Sequence, residues 1–383
     1  MKIMLKTSAL IFLFLFFINI YVFSMNKDPT YTDFSSLEKV SKSLQQTYEY
    51  FPELSLKKIL DDYKSSGSLK LTFKDFTKNI IGFSIKEILI NYKLLIELLV
   101  IGIISALMHN LQNSFDENSI AKIANFAIFL LITTIIIKSF TYAISIAAKA
   151  ITDMVEFMNA LIPSMISILI GTGSVATATT LDPIIMFFIK FSSDIIKNFV
   201  LPVTIIVVAV HIVDNLSDDI KIGKLGDFIN TINTLVLGFL MTVFIAIITV
   251  RGITANTFDE VALKSTKFAV DKLIPIVGGA LSDAVATVAS YSLILKDALS
   301  VFGVVMIVGI CVFPLIKIMV ISLIYKFTCV VLEPIVDKKI VEGLNAASKS
   351  LTIVFAAVLS VAVMFFIMIT ILASAGKVIV NVG

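Results

Sequence analysis

Apolar runs long enough to cross a bilayer, set apart by short polar breaks, predict an all-α polytopic membrane protein. Hydrophobic residues make up 58% of the 383-residue chain, and the mean hydropathy is +0.99, far above a soluble domain. A hydrocarbon core of about 30 Å needs about 20 apolar helical residues. Phe157 to Ala176, Ile229 to Val250 and Leu351 to Ala373 each meet that length. Lipid offers no partner to backbone N–H and C=O groups, so each run must close its own hydrogen bonds as a helix.

The first element reads as an export signal over residues 1–24. Lys2 and Lys6 precede an apolar stretch from Ala9 to Phe23, and Val22 and Ser24 suit cleavage before Met25. An uncleaved signal anchor is the alternative, and either delivers the next segment outside the cytoplasm. Residues 25–87 form an extracytoplasmic amphipathic helical segment. Phe34, Leu37, Val40, Leu44, Tyr48 and Phe51 recur at helical steps between Asp33, a plausible N-cap, and Pro52. A second short helix is predicted from Leu54 to Tyr63. So small a segment makes a poor core of its own and is expected to pack on the membrane domain or on a partner.

Residues 88–383 are the polytopic domain. Ile80 to Asn91 is predicted to lie in the interface ahead of a first span from Leu94 to Asn110, where Lys93 and Glu97 stand i, i+4 and permit an intrahelical ion pair. Further spans are predicted at Ile120 to Phe140, at Phe157 to Ala176, and from an interfacial helix (Ile184 to Asn198) up to Val213. Ile229 to Val250 and Leu351 to Ala373 complete the clear ones. Leu299 to Leu332, about 50 Å as one helix, crosses once or twice. The total is seven or eight. Phe268 to Leu295 reads as two amphipathic halves hinged at Pro275, Gly278 and Gly279: a broken helix, a re-entrant hairpin or an interfacial pair within about 265–297. With an exported N-terminus, the acidic 214–228 break falls outside. The 251–272 break, with Arg251, Lys264, Lys267 and Lys272, falls inside. Lys338, Lys339 and Lys349 place 333–350 inside too, which requires an even number of crossings between 273 and 332.

Several chemistries are missing. A net charge of +3 with a single arginine gives no footprint for nucleic acid. No phosphate-binding glycine loop precedes Gly376-Lys377, so any ATP must be hydrolysed by another protein. His109 and His211 have no metal-ligand spacing to Cys, Asp or Glu, and Cys311 and Cys329 read as small hydrophobes. Ser174 with His211, and Gly226-Asp227 after Lys224, fall short of intramembrane protease patterns. No cofactor and no catalytic or metal residue is predicted. Charges near span ends (Lys190, Asp194, Asp214) can snorkel. Asp271 and Asp283 instead flank the Pro-Gly-Gly hinge in apolar sequence, where broken backbone is tolerated only against protein or a water-filled cavity. Thr266, Lys267, Asp271, Pro275, Gly278, Gly279, Ser282, Asp283 and Lys296 are therefore the expected partner-binding or path-lining residues.

The run Ser265 to Ala284 (STKFAVDKLIPIVGGALSDA), continued by Ser292 to Lys296, resembles the signature of the stage III sporulation protein AE family. Lys93 to Leu95 and Leu111 to Ala124 resemble that family's first-span region. Departures gather at Ala286 to Ser290. The resemblance implies a membrane subunit of a secretion-like channel complex between mother cell and forespore, required for endospore development after engulfment. It implies other stage III sporulation A-type partners including a separate ATPase, and a forespore-membrane partner across the intermembrane space. It also implies a site in the mother-cell membrane around the forespore. The alternative reading is a stand-alone secondary transporter for a small solute, which expects paired broken helices in two similar halves. The sequence offers one.

Overall fold

The computed structural model describes residues 34–47, 73–114, 119–171, 182–216, 221–273 and 278–374, with the side chains of 251–273 and 278–291 among those outside the description. No strand occurs among them. The helices are α1 (Ser35–Thr47), α2 (Phe73–Ser114), α3 (Ser119–Gly171), α4 (Asp182–Ile195), α5 (Leu201–Leu216), α6 (Gly223–Leu273), α7 (Gly278–Leu332) and α8 (Lys338–Ser374). A π-turn, Ile196–Val200, joins α4 to α5 without a break. Among the described residues six helical stretches are long and apolar enough to cross a membrane: Asn79–Met108, Phe126–Ile170, Pro183–Leu216, Gly223–Val250, Ser292–Leu332 and Lys338–Ser374. The protein is an all-α polytopic membrane protein.

Among the described residues two of the expected spans share one helix. Ile120 to Phe140 and Phe157 to Ala176 are separated by a stretch holding Lys149, Asp153 and Glu156. That stretch contains no glycine or proline, and α3 runs through it for 53 residues, about 80 Å. Polarity alone does not stop a helix. Lys149 Nζ lies 3.4 Å from Asp153 Oδ2 and Glu156 is exposed, while Lys197 Nζ donates to the Thr152 hydroxyl at 2.7 Å. Likewise Ile80 to Asn91 is no separate interfacial helix but the middle of α2. Leu299 to Leu332 is a single unbroken helix, Pro314 included.

Helix α7 is the hub. About two thirds (67%) of its membrane window is buried, against 17% for that of α2. It packs on α8, α3 and α2. The α3–α7 crossing closes on Gly303, where an added Cβ would stand 2.6 Å from Leu161 Cδ2, beside the Phe157–Phe302 ring pair. Small residues let helices approach in lipid, and Ser322 and Ser348 do the same for α7 and α8, their hydroxyls 3.1 Å apart. Tyr325, fully buried, meets Ser139 at 2.5 Å and donates to the Ile136 carbonyl at 3.2 Å. Helix α1 lays Leu37 and Leu44, both buried, toward this core, and Gln45 Nε2 reaches Met306 Sδ at 3.9 Å.

One expectation about sides fails. The end of α5, the start of α6 and the start of α8 line a common cavity, so Asp214, Asp227 and Glu342 stand at the same end of the bundle. An inside 333–350 therefore brings 214–228 inside with it. Between 273 and 332 the described chain is one unbroken helix, α7, from Gly278 to Leu332, where an even number of crossings was expected.

Candidate functional site

Three helices turn polar faces toward one another at that end. On α5, His211, Asp214 and Asn215 follow at steps of three and four, one helical face. On α6, Asp227 and Asn230 are three apart. On α8, Glu342, Asn345 and Lys349 repeat the pattern. Together they line a cavity of about 230 Å³, its apolar wall given by Val207 and Ala346.

Two glycines let the helices close. The Gly223 N–H, at the start of α6, donates to Asp214 Oδ1 at 2.7 Å, where a carboxylate also suits the helix dipole. A Cβ on Gly223 would stand 2.5 Å from Asp214 Oδ2, and one on Gly226 would stand 2.9 Å from His211 Nε2. His211 Nε2 is 3.6 Å from Asp227 Oδ1, an ion pair only when the imidazole is protonated. The carboxamide oxygen of Asn230 is buried and has no hydrogen-bond partner among the described residues.

Deeper in the bundle, the π-turn widens the backbone ring so that the Leu201 N–H bonds the Ile196 carbonyl. Such bulges cluster at functional positions. Here Val200 O receives both Thr204 Oγ1 (2.7 Å) and Asn233 Nδ2 (3.1 Å), and Asn233 Nδ2 also donates to Thr204 Oγ1 at 2.9 Å. Asn233 is fully buried. A polar seam thus runs from the cavity mouth along α6 through Asn230 to Asn233.

A second polar cluster follows α2 and α7. Glu87, 4% exposed, accepts from Asn91 Nδ2 at 2.8 Å. Nearby, Lys317 lies over the Phe83 ring, 5.9 Å from its centroid.

The chain matches the family model described as stage III sporulation protein AE over residues 54–376. The chain belongs to the stage III sporulation protein AE family. It is 30% identical over 312 residues to the stage III sporulation protein AE of Bacillus subtilis (strain 168), covering 82% of this chain and 78% of the relative. No solved structure matches it.

Of the positions singled out in sequence, Lys296 is fully buried on α7, its Nζ 3.8 Å from Asp297 Oδ1. Lys93 Nζ lies 3.9 Å from Glu97 Oε1 on the outer face of α2, with the lysine 80% exposed. Thr266, Lys267 and Asp271 fall on α6, and Gly278, Gly279, Ser282 and Asp283 on α7. Their side chains lie outside the described residues, as do Pro275 and the export signal. The cavity is not evident from the sequence. Its signal is present in polar residues three and four apart on three helix ends, yet His211 and Gly226-Asp227, read separately, suggest only chemistries that neither supports.

Proposed function

We propose that this protein is a non-enzymatic membrane subunit of the channel or secretion-like complex that joins mother cell to forespore after engulfment. It sits in the mother-cell membrane with its N-terminal segment in the intermembrane space. The reading rests on family membership across 54–376, which takes in the six helical stretches among the described residues that are long and apolar enough to cross a membrane. Partners are other stage III sporulation A-type proteins, a separate ATPase, and a forespore-membrane protein. With the N-terminal segment outside and each long helix crossing once, the cavity end faces the mother-cell cytoplasm. Lys338, Lys339 and Lys349 then obey the positive-inside rule.

The 265–296 segment contacts partners or lines the path. Copurification from sporulating cells tests the complex: the companion proteins and ATPase should come down together, and their absence under mild solubilisation refutes it. Asp283→Asn and Gly279→Leu should block sporulation after engulfment at normal protein levels. Normal spore yields from both stable variants would remove that segment from the proposal. Solute-specific uptake by the purified chain alone in liposomes would favour the transporter instead.

A further inference from the structure

We propose that the outer face of α3 between Thr141 and Ser167, flanked by α4 and its π-turn, lines a water-filled path at mid-membrane depth. The inference stands on depth and exposure, and holds for a conduit subunit and a transporter alike. Contacts between helices set the depth. Helix α8 crosses with Leu351 to Ala373, since 338–350 carries Lys338, Lys339, Glu342 and Lys349, and the middle of that run is Ala362. Helix α7 lies along α8 from Ser322 against Ser348 to Gly303 against Ile369, which sets Ile310 level with Ala362. It lies along α3 from Tyr325 against Ser139 to Phe302 against Phe157, which sets Thr152 at that level too. The charged stretch of α3 is therefore at the centre of the span, not at a membrane surface.

At this depth α3 is built the wrong way round for lipid. Its exposed positions over 141–167 include Thr141, Ser145, Lys149, Glu156, Asn159 and Ser167, and Tyr142 is the one large apolar side chain exposed there. Level with them, α8 shows an ordinary lipid-facing surface, with Leu359 41% and Phe366 42% exposed. Helix α4 extends the polar face. The π-turn carries Lys197, whose Nζ donates to Thr152 Oγ1 at 2.7 Å. Lys190 and Asp194, both exposed, stand seven and three residues before it on the same flank. Lys149 pairs with Asp153, but among the described residues Glu156, Lys190 and Asp194 form no ion pair. Charged groups at membrane depth face the bundle interior or water, and these point out of the bundle. Lys149, Lys190 and Lys197 balance Asp153, Glu156 and Asp194, so the face carries no net charge to draw a partner of one sign. A dry cover would have to pair each charge individually. Water solvates both signs with no such match.

One chain walls one side of such a path, so the test uses native membranes, where the chains that complete it are present. Glu156→Cys, Asn159→Cys and Asp194→Cys are made singly in the full-length protein with Cys311→Ala and Cys329→Ala, and Leu359→Cys on α8 is the reference at the same depth. All four positions are exposed, so the substitutions leave the packing intact. Membranes from sporulating cells are sheared open, and a charged, membrane-impermeant methanethiosulfonate is added to both sides. A thiol reacts as its thiolate, which forms in water and not in hydrocarbon, so the α3 and α4 cysteines should react at least roughly tenfold faster than Leu359→Cys. Slow reaction at all four positions means that lipid or protein covers the face, and overturns the proposal. Equally fast reaction at Leu359→Cys puts this level outside the hydrocarbon, and overturns it too. Companion proteins that copurify while the α3 and α4 cysteines stay slow would strike the path and leave the complex. Fast cysteines without companions would do the reverse.

Discussion

Replacing Gly303 by alanine should destabilise the bundle by a calculable amount, and removing Leu161 should relieve it. A methyl group at 303 would stand 2.6 Å from Leu161 Cδ2 and 3.3 Å from Ile369 Cδ1, where ordinary contact begins near 3.4 Å. Leu161 must therefore retreat by about 1 Å. It and Ile369 are fully buried, so the retreat presses on packed neighbours and costs about 1–3 kcal/mol. Leu161→Ala alone leaves a cavity costing about 2–5 kcal/mol. In the double variant the new methyl enters the space Leu161 leaves, and the two losses should fall short of their sum by about 1–2 kcal/mol. Unfolding in mixed micelles of rising SDS fraction measures this, read by reaction of the buried Cys311 thiol in a Cys329→Ala background. Losses that add within about 0.5 kcal/mol would show that α3 and α7 do not meet at these residues.

Tyr325→Phe should cost about 1–2 kcal/mol in the same assay, since it removes the link to Ser139 and the bond to the Ile136 carbonyl and leaves the ring in place. Asn233→Leu should cost only about 0.5–1.5 kcal/mol, because Thr204 still donates to Val200 O. Asn233→Asp, which buries a charge at the same point, should cost several kcal/mol; equal losses would refute the seam. Cysteines at Lys221 and Lys338, one per variant with the native pair removed, should label from the same side of the membrane. Labelling from opposite sides would refute a single crossing by α7.

The fold class was legible because lipid leaves few solutions: apolar length and the need to close backbone hydrogen bonds settle helices and spans together. Boundaries were less legible where polarity was taken for a break. Lys149, Asp153 and Glu156 are helix-compatible residues: Lys149 and Asp153 pair along α3, and Glu156 is exposed. That the 214 and 342 regions share one end was not legible for a related reason, since one helix more or fewer between them exchanges the ends. The cavity needed knowledge of which helix ends meet. His211, Asp227 and Glu342 are far apart in sequence, and only packing brings their faces to one place. The π-turn left no mark in periodicity at all, because Ile196 to Val200 reads as ordinary apolar helix.

That turn has a consequence for how the chain tolerates changes in length. A π-turn is one residue more than an α-helix requires, so deleting any single residue of 196–200 would yield an uninterrupted helix with no local defect. Five residues of π-turn sweep about the same angle as four of α-helix, so the helix beyond it would keep its phase. His211 and Asp214 would stay on the α6–α8 side, and the change would be confined to the turn and the Val200 carbonyl that receives Thr204 and Asn233. The same one-residue loss in the regular helix between 201 and 211 would instead turn His211 and Asp214 by about 100°.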